Sequence, residues 1–193
     1  TIDDGNEDGG GALTGTIALN VTAVNDAPTL SNFVDGVAVT AEDTEVEITL
    51  ATLKAFGDEA DVDGSVDAFV VKSVANGTLT IGASAGTASA WAAGINDRIT
   101  ATLHAYWTPA ADVTGLMTAF TATALDDGGA ESTGSADALV SVTPVNDTPV
   151  IAVNTGITLA EGDTGVLIGA AHLAASDPDN AASELLFTLT TVP

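Results

Sequence analysis

The chain has 193 residues, of which 27 are Asp or Glu and only three, Lys54, Lys72 and Arg98, are basic, giving a formal net charge of −24. That balance repels nucleic acid and anionic membrane surfaces. The lack of Cys excludes disulfides, thiolate zinc sites and Cys nucleophiles, and no apolar run reaches the roughly 18 to 20 residues of a membrane-spanning helix.

Disorder is a poor fit, because 46% of residues are hydrophobic and only 16% are charged, whereas a disordered chain combines charge with low hydrophobicity. The opening Thr1-Ile2-Asp3-Asp4 has neither the basic nor the apolar segment of a signal peptide. Gly9-Gly10-Gly11 follows acids and would repel a phosphate. Ile17, Leu19 and Val21 then alternate with Ala18, Asn20 and Thr22, which predicts a half-buried strand. Val46, Ile48 and Leu50 alternate with Glu45, Glu47 and Thr49 in the same way. Two short helical turns are expected, over Ala51 to Phe56 and Ile95 to Leu103. Val140 and Val142 alternate with Ser141 and Thr143 as a further strand. Turn signals fall at Asn76-Gly77, Asp127-Gly128-Gly129 and Asn154-Thr155-Gly156. The class is all-β, and strands at this density fit a β-sandwich. Phe33, Phe69, Trp91, Tyr106, Trp107 and Phe120 are its expected core; sugar stacking by Trp91 or Trp107 is the alternative.

The chain repeats itself. Val24-Asn25-Asp26-Ala27-Pro28 returns as Val145-Asn146-Asp147-Thr148-Pro149, an offset of 145 − 24 = 121. The residues before each copy also match, Thr16 to Ala23 with Asp137 to Pro144. Asp3-Asp4-Gly5 answers to Asp126-Asp127-Gly128, Ala41-Glu42-Asp43-Thr44 to Ala160-Glu161-Gly162-Asp163-Thr164, and Asp61-Val62-Asp63-Gly64 to Asp177-Pro178-Asp179-Asn180. The expected organisation is a segment of a tandem array: the end of one repeat over 1–26, a complete repeat over 27–147, and the opening third of the next over 148–193. An internal segment carries no leader of its own, so the missing signal peptide does not argue against secretion.

Acids recur at matching repeat positions. Two carboxylates one residue apart in a turn, as in Asp61-x-Asp63 and Asp177-x-Asp179, can converge on one cation, and Asn25-Asp26 and Asn146-Asp147 sit before a stiffening Pro-containing boundary. Calcium takes six to eight oxygen ligands from carboxylates, amide carbonyls and backbone carbonyls, which are the donors on offer. Zinc would call for Cys or clustered His, and His104 and His172 stand alone as structural or surface residues. Scattered acids such as Glu45, Glu47, Asp97 and Asp137 are read as solubilising charge. Like charges packed closely without a cation would repel and raise one another's pKa.

The order of several weak motifs gives a fairly specific resemblance over the whole chain. These are Ala41-Glu42-Asp43, Asp61-x-Asp63-Gly64, Gly77-Thr78-Leu79, Ile95-Asn96, Tyr106-Trp107-Thr108-Pro109-Ala110-Ala111-Asp112-Val113-Thr114-Gly115, Thr121 to Gly129 and Val145-Asn146-Asp147-Thr148-Pro149. With them the chain resembles the cadherin-like tandem repeats of large bacterial surface and secreted proteins, including RTX-type adhesins exported by type I secretion. The resemblance implies Greek-key, cadherin- or immunoglobulin-like β-sandwiches in series, with Ca²⁺ at each junction. Carried over, the first junction would use Asn25, Asp26, Asp61, Asp63 and Asp126, and the second Glu42, Asn146, Asp147, Asp177 and Asp179. Asp3 and Glu161 would serve outlying junctions. The linker is about one residue shorter than the Asn-Asp-Asn form of cadherins, and no counterpart of their Asp-Arg-Glu strand motif is found, so one or two ions per junction are expected.

The leading functional expectation is a calcium-stiffened structural extender in an extracellular or bacterial cell-surface array, its partners the neighbouring repeats of the same chain. A polysaccharide- or cell-binding adhesive module is one alternative, and a self-associating extracellular filament or matrix subunit is another. Nucleic-acid binding and membrane insertion are not expected. Nor is catalysis, since there is no Ser-His-Asp set, no His-containing metal triad and no phosphate-cradling loop.

Overall fold

The computed structural model describes residues 15–188; Asp3 and Gly9-Gly10-Gly11 lie outside them. The chain is mostly β, and its central part forms two sheets. Strands rich in small and β-branched residues, β1 (Gly36–Ala41), β3 (Val66–Val74), β8 (Gly115–Asp126) and β9 (Ala136–Thr143), build the larger sheet with the short β6 (Arg98–Ile99). Its order is β1-β9-β8-β3-β6. The smaller sheet joins β2 (Val46–Ile48), β4 (Gly77–Gly82), β5 (Ser89–Ala90) and β7 (His104–Pro109) in the order β2-β7-β4-β5. Every pairing is antiparallel except β1 with β9, which run parallel.

One apolar cluster draws on both sheets: Ile48, Leu79, Ile81 and Trp107 from the smaller, Phe69, Val71, Phe120 and Val140 from the larger. Phe33, Phe69, Tyr106, Trp107 and Phe120 are all buried, as expected, and Phe33 meets Phe69 edge-on with ring centroids 5.5 Å apart. Trp107 is 0% exposed, so it cannot stack on a sugar. Trp91 packs half-buried on the core, its indole N–H donating to the Val71 carbonyl. The expected turn at Ala51 to Phe56 is a helix, α1 (Leu50–Phe56), capped by Thr49 Oγ1, which accepts from the Thr52 N–H. It buries Leu53.

Two expectations fail. No helical turn spans Ile95 to Leu103. The segment makes two tight turns instead, Ala92 bridged to Asn96 and Thr100 bonded to Leu103, with β6 between them. Asp97 Oδ2 pins the first turn by accepting the Gly94 N–H, and β-branched Ile99 and Thr100 favour extended backbone. The strand expected over Ile17 to Val21 is also absent. Those side chains are 84–88% exposed, because an alternating apolar face forms a strand only beside another strand.

Beyond the two sheets, β10 (Val150–Asn154) and β11 (Leu173–Ser176) form an antiparallel ladder. It pairs Val150 with Ser176 and Asn154 with Leu173. The central unit opens with isolated bridges Thr29–Ala60 and Phe33–Gly57. The correspondence is regular: 150 − 29 and 154 − 33 both give 121, and 176 − 60 and 173 − 57 both give 116.

Strand direction places the acids. Because β1 and β9 are parallel, with Ala41 opposite Thr143, the residues that follow them leave the sheet side by side. Gly115, the first residue of β8, lies opposite Val142, so the turn before it is at that same end. Asp126, the last residue of β8, lies opposite Val66, which brings residues 61–65 to the far end. At roughly 3.3 Å per residue, the twelve residues of β8 separate the two ends by about 35 Å.

Candidate metal centres at the two ends

At one end, Glu42, Asp112 and Asp147 each offer a carboxylate oxygen within 4.8 Å of the others. Glu42 follows β1 and is 4% exposed; its Oε1 accepts the Val145 N–H at 2.5 Å. Asp112 sits in the turn before β8 in the left-handed region, with φ of 59°, which Asp tolerates better than most residues. Asp147 belongs to the segment after β9. Its N–H donates to Asp179 Oδ2 at 2.6 Å, and Asp177 Oδ1 accepts the N–H groups of Asp179 and Asn180 at 2.9 and 3.0 Å. Burial, then the charges of Asp179, Asp112, Glu42 and Asp43, push the Asp147 carboxyl above its ordinary range. Its Oδ2 is buried with no hydrogen-bond partner.

The far end repeats part of this wiring. The Asp26 N–H donates to Asp63 Oδ1 at 3.2 Å, as Asp147 does to Asp179. Asp61 Oδ1 accepts the N–H groups of Asp63 and Gly64 at 3.2 and 3.1 Å, as Asp177 does from Asp179 and Asn180. Asn25 Nδ2 donates to Asp126 Oδ2 at 2.9 Å. Burial pushes Asp126 upward, but bonds from Asn25 and the backbone of Ala130, Gly129 and Gly128 outweigh it, and the net shift is downward. Asp61 Oδ2 is another buried oxygen without a partner. Two glycines allow the close approach: a Cβ on Gly64 would strike Asp127 Oδ1, and one on Gly128 would strike the Asn25 amide.

All ten residues expected at the two junctions are thus placed. Asn25, Asp26, Asp61, Asp63 and Asp126 gather in one hydrogen-bonded group, though not in a carboxylate trio as tight as that at the other end. Glu42 and Asp147 meet directly, and Asp179 and Asp177 join through backbone bonds. Asn146 stays exposed, its Nδ2 donating to the Asp147 carbonyl at 2.8 Å. Glu161, the counterpart of Glu42, is exposed. Sequence reasoning missed Asp112 and Asp127. Asp127 Oδ1 accepts the Ser65 N–H at 3.1 Å. Asp112 was hidden because only the β7–β8 crossover brings it to Glu42; its position before Gly115, at the start of an alternating strand, was the available signal.

His104 Nδ1 lies 2.5 Å from Glu47 Oε1, and His172 Nδ1 lies 3.1 Å from the Gly156 carbonyl; neither faces these acids. The donor set fits a hard divalent cation. Oxygens held at 2.3–2.6 Å from a calcium ion can stand up to about 5 Å apart, and the trio satisfies that. An unpartnered buried carboxylate oxygen at each end is costly unless something positive completes it.

No family model, no curated protein and no solved structure matches the chain.

Proposed function

We propose that this chain is a calcium-stiffened extender: a non-catalytic segment of a tandem array of Greek-key, cadherin-like sandwiches, working outside the cell or on a bacterial surface. The observation that carries this reading is the Asp147 carboxylate. It stands within 4.8 Å of Glu42 and Asp112, has one buried oxygen without a partner, and is driven toward its neutral form by burial and four neighbouring acids. A divalent cation removes all three costs together. The recurrence of bridges and carboxylate–backbone bonds at near-constant offsets supports the tandem organisation.

The mechanism follows from placement. Glu42 and Asp112 belong to the central unit, Asp147 to the segment leaving it, and Asp177 and Asp179 to the next unit. Calcium at this end would be held by Glu42, Asp112 and Asp147, with Asp179 and Asp177 orienting the linker. At the other end the ligands would be Asp26, Asp61 and Asp63, with Asp127 beside them and Asn25 braced against Asp126. Bound calcium supplies charge neutralisation; the chain supplies oxygen donors from both sides of each boundary. Without the ion these carboxylates repel, and the linker swings. The central unit then acts as a spacer of about 35 Å between two locks.

Small-angle scattering of the whole chain in millimolar calcium and in chelator tests this reading. A longer, less flexible particle in calcium is expected, with a higher melting temperature because only the native state binds the ion. Identical scattering profiles and melting curves in the two conditions would reject it.

A further inference from the structure

Two of the three basic residues, Lys72 and Arg98, line one groove, while the third, Lys54, donates to the Val66 carbonyl. The groove lies at the β6 edge of the larger sheet, inside the central unit, and none of the boundary acids lines it. Val70 stands opposite Arg98 on β6 and opposite Thr123 on β8, so these three side chains share one face. Thr123 Oγ1 donates to Glu131 Oε2 at 3.0 Å, and Lys72 Nζ donates to the same oxygen. The charge of Lys72 is thereby answered. Arg98 is exposed and, among the described residues, forms no ion pair, although the chain carries 27 acids. The turn from Ala92 to Asn96 forms one wall, held by the Gly94 N–H donating to Asp97 Oδ2. Ile95 on that turn is 88% exposed, and Leu103, 37% exposed, adds further apolar surface. The cavity is about 510 Å³, within the range of small-molecule sites.

We propose that this groove binds the carboxylate of a uronic-acid residue in a glycan, with Arg98 as its anchor. A guanidinium presents a planar fork of donors that meets a carboxylate through two parallel hydrogen bonds. Glu131 and Asp97 also line the groove, so a doubly charged phosphate meets more repulsion there than a single carboxylate does. Ile95 and Leu103 offer apolar surface to the C–H face of a sugar ring. An acidic peptide side chain has no such face. A peptide or polymer dense in acid would also bring further charge against a chain of net charge −24, so a glycan with isolated carboxylates is favoured. At physiological salt the Debye length is about 8 Å; distant acids are screened, while Arg98 acts at contact. No boundary acid takes part, so the site stands or falls apart from the calcium reading.

The test is an NMR titration of the whole isotope-labelled chain with methyl glucuronide and, separately, with methyl glucoside, which carries a hydroxymethyl group where the glucuronide carries its carboxylate. Chelator is present throughout, so no calcium ion can bridge the sugar to the boundary acids. The glucuronide is expected to shift the backbone signals of Ile95, Arg98 and Leu103 with a midpoint on the order of 1 mM, and the glucoside to need at least about tenfold more. Arg98→Gln should weaken glucuronide binding about tenfold or more, and Arg98→Lys, which keeps the charge but loses the fork, by less. Arg98 is exposed, so both variants should melt as the unsubstituted chain does. Three results would overturn the proposal: equal titration by the two sugars, an Arg98→Gln chain that binds the glucuronide undiminished, or N-acetylaspartate amide, standing for an acidic peptide, binding more tightly than the glucuronide.

Discussion

Glu42 Oε1 accepts the backbone N–H of Val145 at 2.5 Å, across 103 residues of sequence. The bond exists because β1 and β9 run parallel and end together. It fastens the first residues of the linker to the end of the central unit with a buried carboxylate that also belongs to the acidic trio. Glu42→Gln keeps an oxygen acceptor for Val145 and removes the charge. Calcium affinity at this end should fall about tenfold or more, since affinity follows ligand charge count, while melting in chelator does not fall, because one charge that repels Asp147 is gone. Glu42→Ala leaves the Val145 N–H without its acceptor and should cost about 1–3 kcal/mol of stability even without calcium. Titration calorimetry and thermal melts separate the two effects.

Asp112→Asn isolates the contribution that sequence reasoning missed. Asp112 has φ of 59°, and Asn adopts the left-handed region at least as readily as Asp, so the turn should hold, and the melt in chelator should rise slightly because one charge that repels Asp147 is gone. One carboxylate of the trio is lost, and calcium binding at the Glu42 end should weaken by about tenfold or more. Binding at the Asp61 end should be untouched, because β8 keeps the two ends about 35 Å apart. Calorimetry should therefore lose one class of sites and keep the other. Weakening of both classes equally would contradict two independent centres.

The parts of this arrangement that could be read from the sequence were those whose meaning is local. Period-two alternation at Val140 and Val142 marked β9, and Asn76-Gly77 marked the start of β4. The Asp61-x-Asp63-Gly64 spacing marked a turn whose carboxylate folds back on its own backbone. What could not be read depends on distant partners. Alternation at Ile17, Leu19 and Val21 describes a face but not whether a sheet waits beside it. Asp112 reaches Glu42 only through the crossover from β7 to β8, and the turns around Gly94 and Thr100 arise because β6 pairs with β3. The repeated motif located the acids in both boundaries; only strand direction told which of them meet.

Asp147 should titrate abnormally, and calcium should reverse the sense. Burial and then Asp179, Asp112, Glu42 and Asp43 raise its pKa in the folded state above the ordinary 3.8. For a carboxyl raised on folding, the folded form binds protons more readily than the unfolded one. Its ionisation therefore destabilises the fold progressively as pH rises from about 3.8 through the elevated value, and acidification relieves that cost. In chelator, NMR titration of Asp147 should give a midpoint above that of Asp126, which its donors hold down. In calcium the Asp147 midpoint should drop, because a cation favours the charged form, and protons should then compete with the ion so that affinity falls with acid. An Asp147 midpoint below that of Asp126 in chelator would contradict the geometry described at this end.

Trp107 separates the core from the boundary chemistry. It is 0% exposed, pairs with Val46 and Leu79 in the smaller sheet, and donates its indole N–H to the Ala75 carbonyl at 3.2 Å. Trp107→Ala should cost about 3–5 kcal/mol, a large share of the 5–15 kcal/mol typical of a domain. Trp107→Phe fills most of the space but loses the indole donor, and should cost about 1–3 kcal/mol. Urea unfolding followed by the fluorescence of the remaining Trp91 measures both. Calcium affinity of folded Trp107→Phe should match that of the unsubstituted chain, since the side chain lies between the sheets rather than at either end. A tenfold loss of affinity in a folded Trp107→Phe chain would mean that core packing sets the position of the boundary acids, and the spacer could then no longer be treated as rigid between them.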